Sequence, residues 1–96
     1  MNYLRALFRR ANPVELVLYS RLDCPLCDEM KEELGRTKPG RPTRLREVNI
    51  DGDPELEARH GLSVPVLEIA GRVAFKGRMT ASEFERKFDR LTKGNS

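Results

Sequence analysis

The sequence has no tryptophan, a single histidine and only two cysteines. No apolar run approaches the roughly 20 residues that cross a bilayer, so a membrane span is not expected. Met1 to Ala11 carries three arginines and no acid, but no long basic stretch dominates the chain. The net charge of +3 is spread along the chain, which argues against the concentrated basic face of a nucleic-acid binder. The N-terminus lacks the long apolar stretch and small-residue cleavage site of a secretory signal. A cytoplasmic location is therefore expected, and structural disulfides are rare there. Two cysteines in a C-x-x-C are then catalytic or metal-binding rather than a staple. His60 falls at the end of an expected helix, where a cation suits the dipole and no catalytic role is needed. Asp51-Gly52-Asp53 lacks the further oxygen ligands of a calcium loop; a turn followed by a helix cap accounts for it.

What is present suffices for one domain. With 96 residues, 39% of them hydrophobic, the chain can build a single modest core. Residues 1–13 read as an N-terminal arm or short helix, with Leu4, Leu7 and Phe8 as its apolar side. Residues 14–93 read as the domain. Val14 to Tyr19 is a mostly apolar run suited to a buried strand. Cys24-Pro25-Leu26-Cys27 then opens a helix, with Pro25 at its first position and Cys27, Met30 and Leu34 on one inward face. Gly35 and the Lys38–Pro42 stretch end it. Leu45 to Ile50 is a second strand, and Asp53-Pro54 starts a short helix stopping at Gly61. Two strands around Ala70-Gly71 form a hairpin. Thr80 and Glu83 make a capping box ahead of a helix carrying Phe84, Phe88 and Leu91. The order β-α-β-α-β-β-α, with a parallel crossover and a final hairpin, is an α/β thioredoxin fold with a four-stranded mixed sheet flanked by helices.

If Pro25 is the first helical residue, Cys24 is the cap. Its sulfur then faces free amide groups and the positive end of the helix dipole, which favour a thiolate. Cys27 lies a turn further in, on the buried face. The expected roles follow: Cys24 attacks and Cys27 resolves. Arg21 would assist the thiolate, while Asp23, Asp28 and Glu29 would oppose it. The same cysteines leave a second reading open. They supply two of the four ligands that structural zinc usually takes, so a zinc or iron–sulfur site shared in a dimer is an alternative.

From Val14 to Leu91 the chain resembles the glutaredoxin branch of the thioredoxin superfamily, and in particular the small bacterial glutaredoxin-like proteins. Cys24-Pro25-Leu26-Cys27 is similar to the glutaredoxin Cys-Pro-Tyr-Cys, with Leu26 in place of tyrosine. Arg21 stands where that family commonly has a basic residue. Ser63-Val64-Pro65 resembles its Thr-Val-Pro segment, which implies a cis peptide before Pro65 and a Val64 backbone free to pair with a partner's extended chain. The resemblance implies a monomeric thiol–disulfide oxidoreductase without a bound cofactor, acting on protein or small-molecule disulfides. Its reductant would be glutathione or a thioredoxin-reductase-type enzyme. Lys76-Gly77-Arg78-Met79-Thr80 departs from the family's Gly-Gly-x-Asp segment and has no acid to hold the amine of glutathione.

Overall fold

Alternation along the first strand sets the layers. In β1 (Val14–Ser20), Val14, Leu16 and Leu18 lie on one face of the sheet and Val17 and Tyr19 on the other. Every residue of this strand except Glu15 and Tyr19 is buried. That burial on both faces is why the strand reads as a continuous apolar run. The computed structural model describes residues 12–93, and the N-terminal arm expected over residues 1–13 lies almost wholly outside them.

The elements follow as β1, α1 (Pro25–Arg36), β2 (Thr43–Asn49), α2 (Pro54–His60), β3 (Val66–Ile69), β4 (Arg72–Lys76) and α3 (Ala81–Lys93). The sheet order is β2-β1-β3-β4. β1 pairs with β2 in parallel, from Val14 opposite Thr43 to Ser20 opposite Asn49. It pairs with β3 antiparallel, with Leu18 opposite Leu67. The hairpin closes at Ala70 and Gly71, both with positive φ (52° and 83°), the backbone that a tight two-residue hairpin turn requires. The α/β fold and its mixed sheet match the expectation, and two boundaries differ. β2 begins at Thr43 and ends at Asn49, leaving Ile50 outside the strand but fully buried. Gly35 sits inside α1 rather than ending it, because its exposed position asks nothing of a side chain.

One core lies between the sheet and the pair α1 and α3. Val14, Leu16, Leu18, Leu67 and Ile69 from the sheet meet Met30 of α1 and Phe84 and Phe88 of α3. The two phenylalanine rings stack with centroids 5.4 Å apart. At the other face, His60 of α2 stacks on Tyr19 at 4.3 Å. α3 begins with the expected capping box. Glu83 N–H donates to Thr80 Oγ1 at 3.1 Å, and Thr80 N–H donates to Glu83 Oε1 at 2.8 Å. The bond from the Thr80 amide is the main cause holding the pKa of the Glu83 carboxyl below its ordinary value.

Candidate active site

β1 ends at Ser20, and three residues carry the chain to the start of α1. Asp23 makes the turn with a φ of 54°, a left-handed conformation that aspartate tolerates better than most residues. Cys24 follows as the N-cap, in extended conformation, and Pro25 occupies the first turn. The Cys24 Sγ accepts the Cys27 N–H at 3.1 Å. Cys24 and Cys27 are joined by a disulfide, with their Cα atoms 5.2 Å apart. Cys24 is half-buried and Cys27 is only 1% exposed, so the two sulfurs differ in access as well as in position.

The helix-start charges point outward. Asp28 is 3.8 Å from Lys31 and Glu29 is 3.7 Å from Arg78, all four side chains well exposed. Arg21 pairs with Asp51: its Nε lies 3.6 Å from Asp51 Oδ1, an ion-pair distance longer than a hydrogen bond, and is buried without a hydrogen-bond partner among the described residues. The second carboxylate oxygen of Asp51 accepts the Leu22 N–H at 3.3 Å. Asp51 therefore ties down the segment that delivers Cys24, a role its sequence neighbourhood gave no sign of. Ser20 and Lys31 converge on Glu47 of β2, donating to Oε2 at 2.7 and 3.1 Å. The serine hydroxyl is the main cause holding the Glu47 carboxyl below its usual range. This cluster fastens α1 to β2.

The Gly61–Pro65 segment leads from α2 into β3. The Val64–Pro65 peptide is cis, and Pro65 is fully buried. The Val64 N–H is not free for a partner, as the extended-chain reading required. It donates to the His60 carbonyl at 3.1 Å, alongside Ser63 N–H at 2.8 Å, because α2 closes in a turn that satisfies its last carbonyls. A Cβ at Gly61 would collide with the Glu57 carbonyl and lie 3.5 Å from the Arg21 guanidinium, so glycine permits this turn and the close approach of Arg21. His60 also departs from the cation expected at a helix end. It is 4% exposed. Burial, followed by the neighbouring Arg59, pushes its pKa down. Its Nε2 is buried without a hydrogen-bond partner among the described residues. Desolvation outweighs the helix dipole at this position.

A groove of about 540 Å³ runs from Leu26, between the cysteines, along α1 to the start of α3. Glu33 crosses it and accepts the Ala81 N–H at 2.8 Å. Among the described residues, no three His, Cys, Asp or Glu side chains gather as a metal site.

Residues 15–89 match the family model described as Glutaredoxin-like domain (DUF836). The X-ray structure of target protein XcR50 from X. campestris is 37% identical, covering 78% of this chain and 96% of that one with a TM-score of 0.68. Protein Ne2328 from Nitrosomonas europaea is 26% identical, with coverages of 79% and 92% and a TM-score of 0.62. Oxidized glutaredoxin 2 from Chlamydomonas reinhardtii, at 20% identity and a TM-score of 0.54 over 97% of this chain and 92% of its own, shares the fold.

Proposed function

The chain belongs to the glutaredoxin-like domain family, and on that premise we propose that it is a dithiol thiol–disulfide oxidoreductase acting on protein or small-molecule disulfides. The observation that carries the reading is the placement of Cys24 as the cap of α1, bonded to Cys27 and accepting its amide hydrogen. In the reduced protein the same amide and the positive helix end stabilise a thiolate at Cys24. That thiolate attacks a substrate disulfide, forming a Cys24–substrate bond and releasing one substrate sulfur as a thiol after protonation. Cys27, sheltered until then, loses its proton and attacks the Cys24 sulfur. The Cys24–Cys27 disulfide forms, the second substrate thiol leaves, and two electrons have passed to the substrate.

Pro25 fixes the first turn of α1, and Leu26 supplies the apolar start of the groove. Val64 and Pro65 form the wall facing the cysteines, with the Val64 carbonyl rather than its amide offered to a partner. Arg21 acts on the site through Asp51 and the Leu22–Asp23 segment. Two thiols, from glutathione or delivered by a reductase of the thioredoxin-reductase type, return the protein to its dithiol form in a cytoplasmic setting. A monomer is sufficient for this chemistry.

Reduction of a small disulfide, followed with Cys24→Ser and Cys27→Ser, tests the assignment. Cys24→Ser should lose turnover, and Cys27→Ser should accumulate a substrate adduct visible in the intact mass. Full activity in Cys24→Ser would reverse the roles.

A further inference from the structure

The protein is basic overall, yet the groove that begins at Leu26, between the two cysteines in sequence, is acidic. The groove that begins at Leu26 is lined by four carboxylates, Glu29, Glu32, Glu33 and Glu83, against two guanidinium groups, Arg36 and Arg78. Both cations are already engaged within the groove. Arg36 pairs with Glu33, and Arg78 lies 3.7 Å from Glu29. On the other flank of α1, a recess of about 310 Å³ carries Asp23, Asp28 and Glu47 against Arg21 and Lys31. Again the acids outnumber the bases, and the cations are committed, Lys31 to Glu47 and Arg21 to Asp51.

At the far end of the groove the start of α3 would welcome an anion, because unpaired amides and the helix dipole there favour negative charge. That position is filled from within. Glu33 takes the Ala81 N–H at 2.8 Å, and Glu83 takes the Thr80 N–H at 2.8 Å. The Glu33 side chain is only 26% exposed, so its charge is less screened than that of an open surface group.

Resting on the redox reading above, we propose that Glu33, with the carboxylates around it, makes this disulfide discriminate against anionic thiols and favour neutral or cationic thiol partners. The step in question is the return to the dithiol. A thiolate attacks the Cys24 sulfur, the Cys24–Cys27 bond breaks, and its electron pair leaves on Cys27, which takes a proton from water. A second thiolate attacks the mixed disulfide, releasing Cys24 as a thiolate and the oxidised partner as a disulfide. An incoming carboxylate meets the excess negative charge as its sulfur approaches, whereas an ammonium group is attracted.

Three small thiols differing in charge test this: mercaptoacetate, 2-mercaptoethanol and cysteamine. Their rates of reducing the protein disulfide are each divided by their rates with the uncharged 2-hydroxyethyl disulfide, which removes differences in intrinsic thiol reactivity. The corrected rates should rise from mercaptoacetate through 2-mercaptoethanol to cysteamine, and the spread should shrink between about 20 mM and about 500 mM salt. Glu33→Gln removes the charge while its amide oxygen can still accept the Ala81 N–H. It should raise the mercaptoacetate to 2-mercaptoethanol ratio by up to roughly two-fold at low salt, the size expected in water for one charge nine residues, or about 13 Å, along α1 from Cys24. Glu32→Gln, on the same groove wall and outside the helix cap, should move the ratio the same way and carries the test if Glu33→Gln does not fold. Equal corrected rates for the three thiols, or ratios unmoved by the folded variants, would overturn the proposal. If none of the thiols reduces the disulfide, the redox reading itself fails, and this inference falls with it.

Discussion

Asp51 accepts the Leu22 N–H through Oδ2 at 3.3 Å while its Oδ1 lies 3.6 Å from the Arg21 Nε. One carboxylate in the turn two residues after β2 thus fixes the backbone and a side chain of the segment preceding Cys24. Asp51→Ala should slow disulfide exchange several-fold. It should cost about 1 kcal/mol of stability, since one hydrogen bond and a partly exposed ion pair are lost. Urea unfolding and exchange rates measured on the same preparation check both numbers. Asp51→Asn, which can still accept the Leu22 amide, should recover most of the rate.

The cap at Cys24 makes a prediction for the reduced protein. Thiolate absorbance followed against pH should show Cys24 ionising below the free-cysteine value of about 8.5, with the buried Cys27 ionising later. The single variants Cys24→Ser and Cys27→Ser separate the two titrations. If the more acidic thiol belongs to Cys27, the amide at 3.1 Å is not what stabilises the charge.

His60 gives the folded state a pH dependence. Burial lowers its pKa in the native protein, so the unfolded chain binds the proton more readily. The stability tied to neutral His60 is whole above the unfolded value of about 6.5 and is lost as pH falls through the lower native pKa. The slope should approach at most about 1.4 kcal/mol per pH unit, one proton's worth. His60→Phe keeps a ring against Tyr19 and removes the unpartnered Nε2. The drop in urea midpoint between about pH 7.5 and about pH 5.5 should be smaller in this variant than in the native protein.

Thr80→Ala removes the hydroxyl that accepts the Glu83 N–H. A loss of about 1 kcal/mol is expected for a cap of this kind, read as a lowered thermal midpoint. Thr80→Ser should restore it.

Phe84 is fully buried and stacks on Phe88 against the sheet. Phe84→Ala should cost about 3–5 kcal/mol, a loss large enough to show as partial unfolding at ambient temperature in circular dichroism.

Much of this architecture was written locally. The apolar run from Val14, the proline after Cys24, the Thr80–Glu83 box and the Phe84, Phe88, Leu91 spacing each reflect a rule that acts within one element. Those rules yield the element order, the parallel crossover and the hairpin, and they place Cys24 at a helix start with Cys27 on the buried face. What they do not contain is contact between distant segments. The Val64 amide is taken by His60 because of how a short helix closes. His60 is neutral by preference because Tyr19 and the sheet cover it. Asp51 reaches back 29 residues to Leu22, and Glu33 reaches forward 48 residues to Ala81. On the sequence alone, these two acids belong to a turn and to a solvated helix face. Only the packed chain brings each carboxylate to its backbone amide, the Leu22 amide exposed and the Ala81 amide half-buried, and a half-buried amide must find an acceptor wherever the fold supplies one. The sequence by itself determined the reactive pair and the order of the elements around it. The tertiary structure decided which acids surround that pair and what each of them holds.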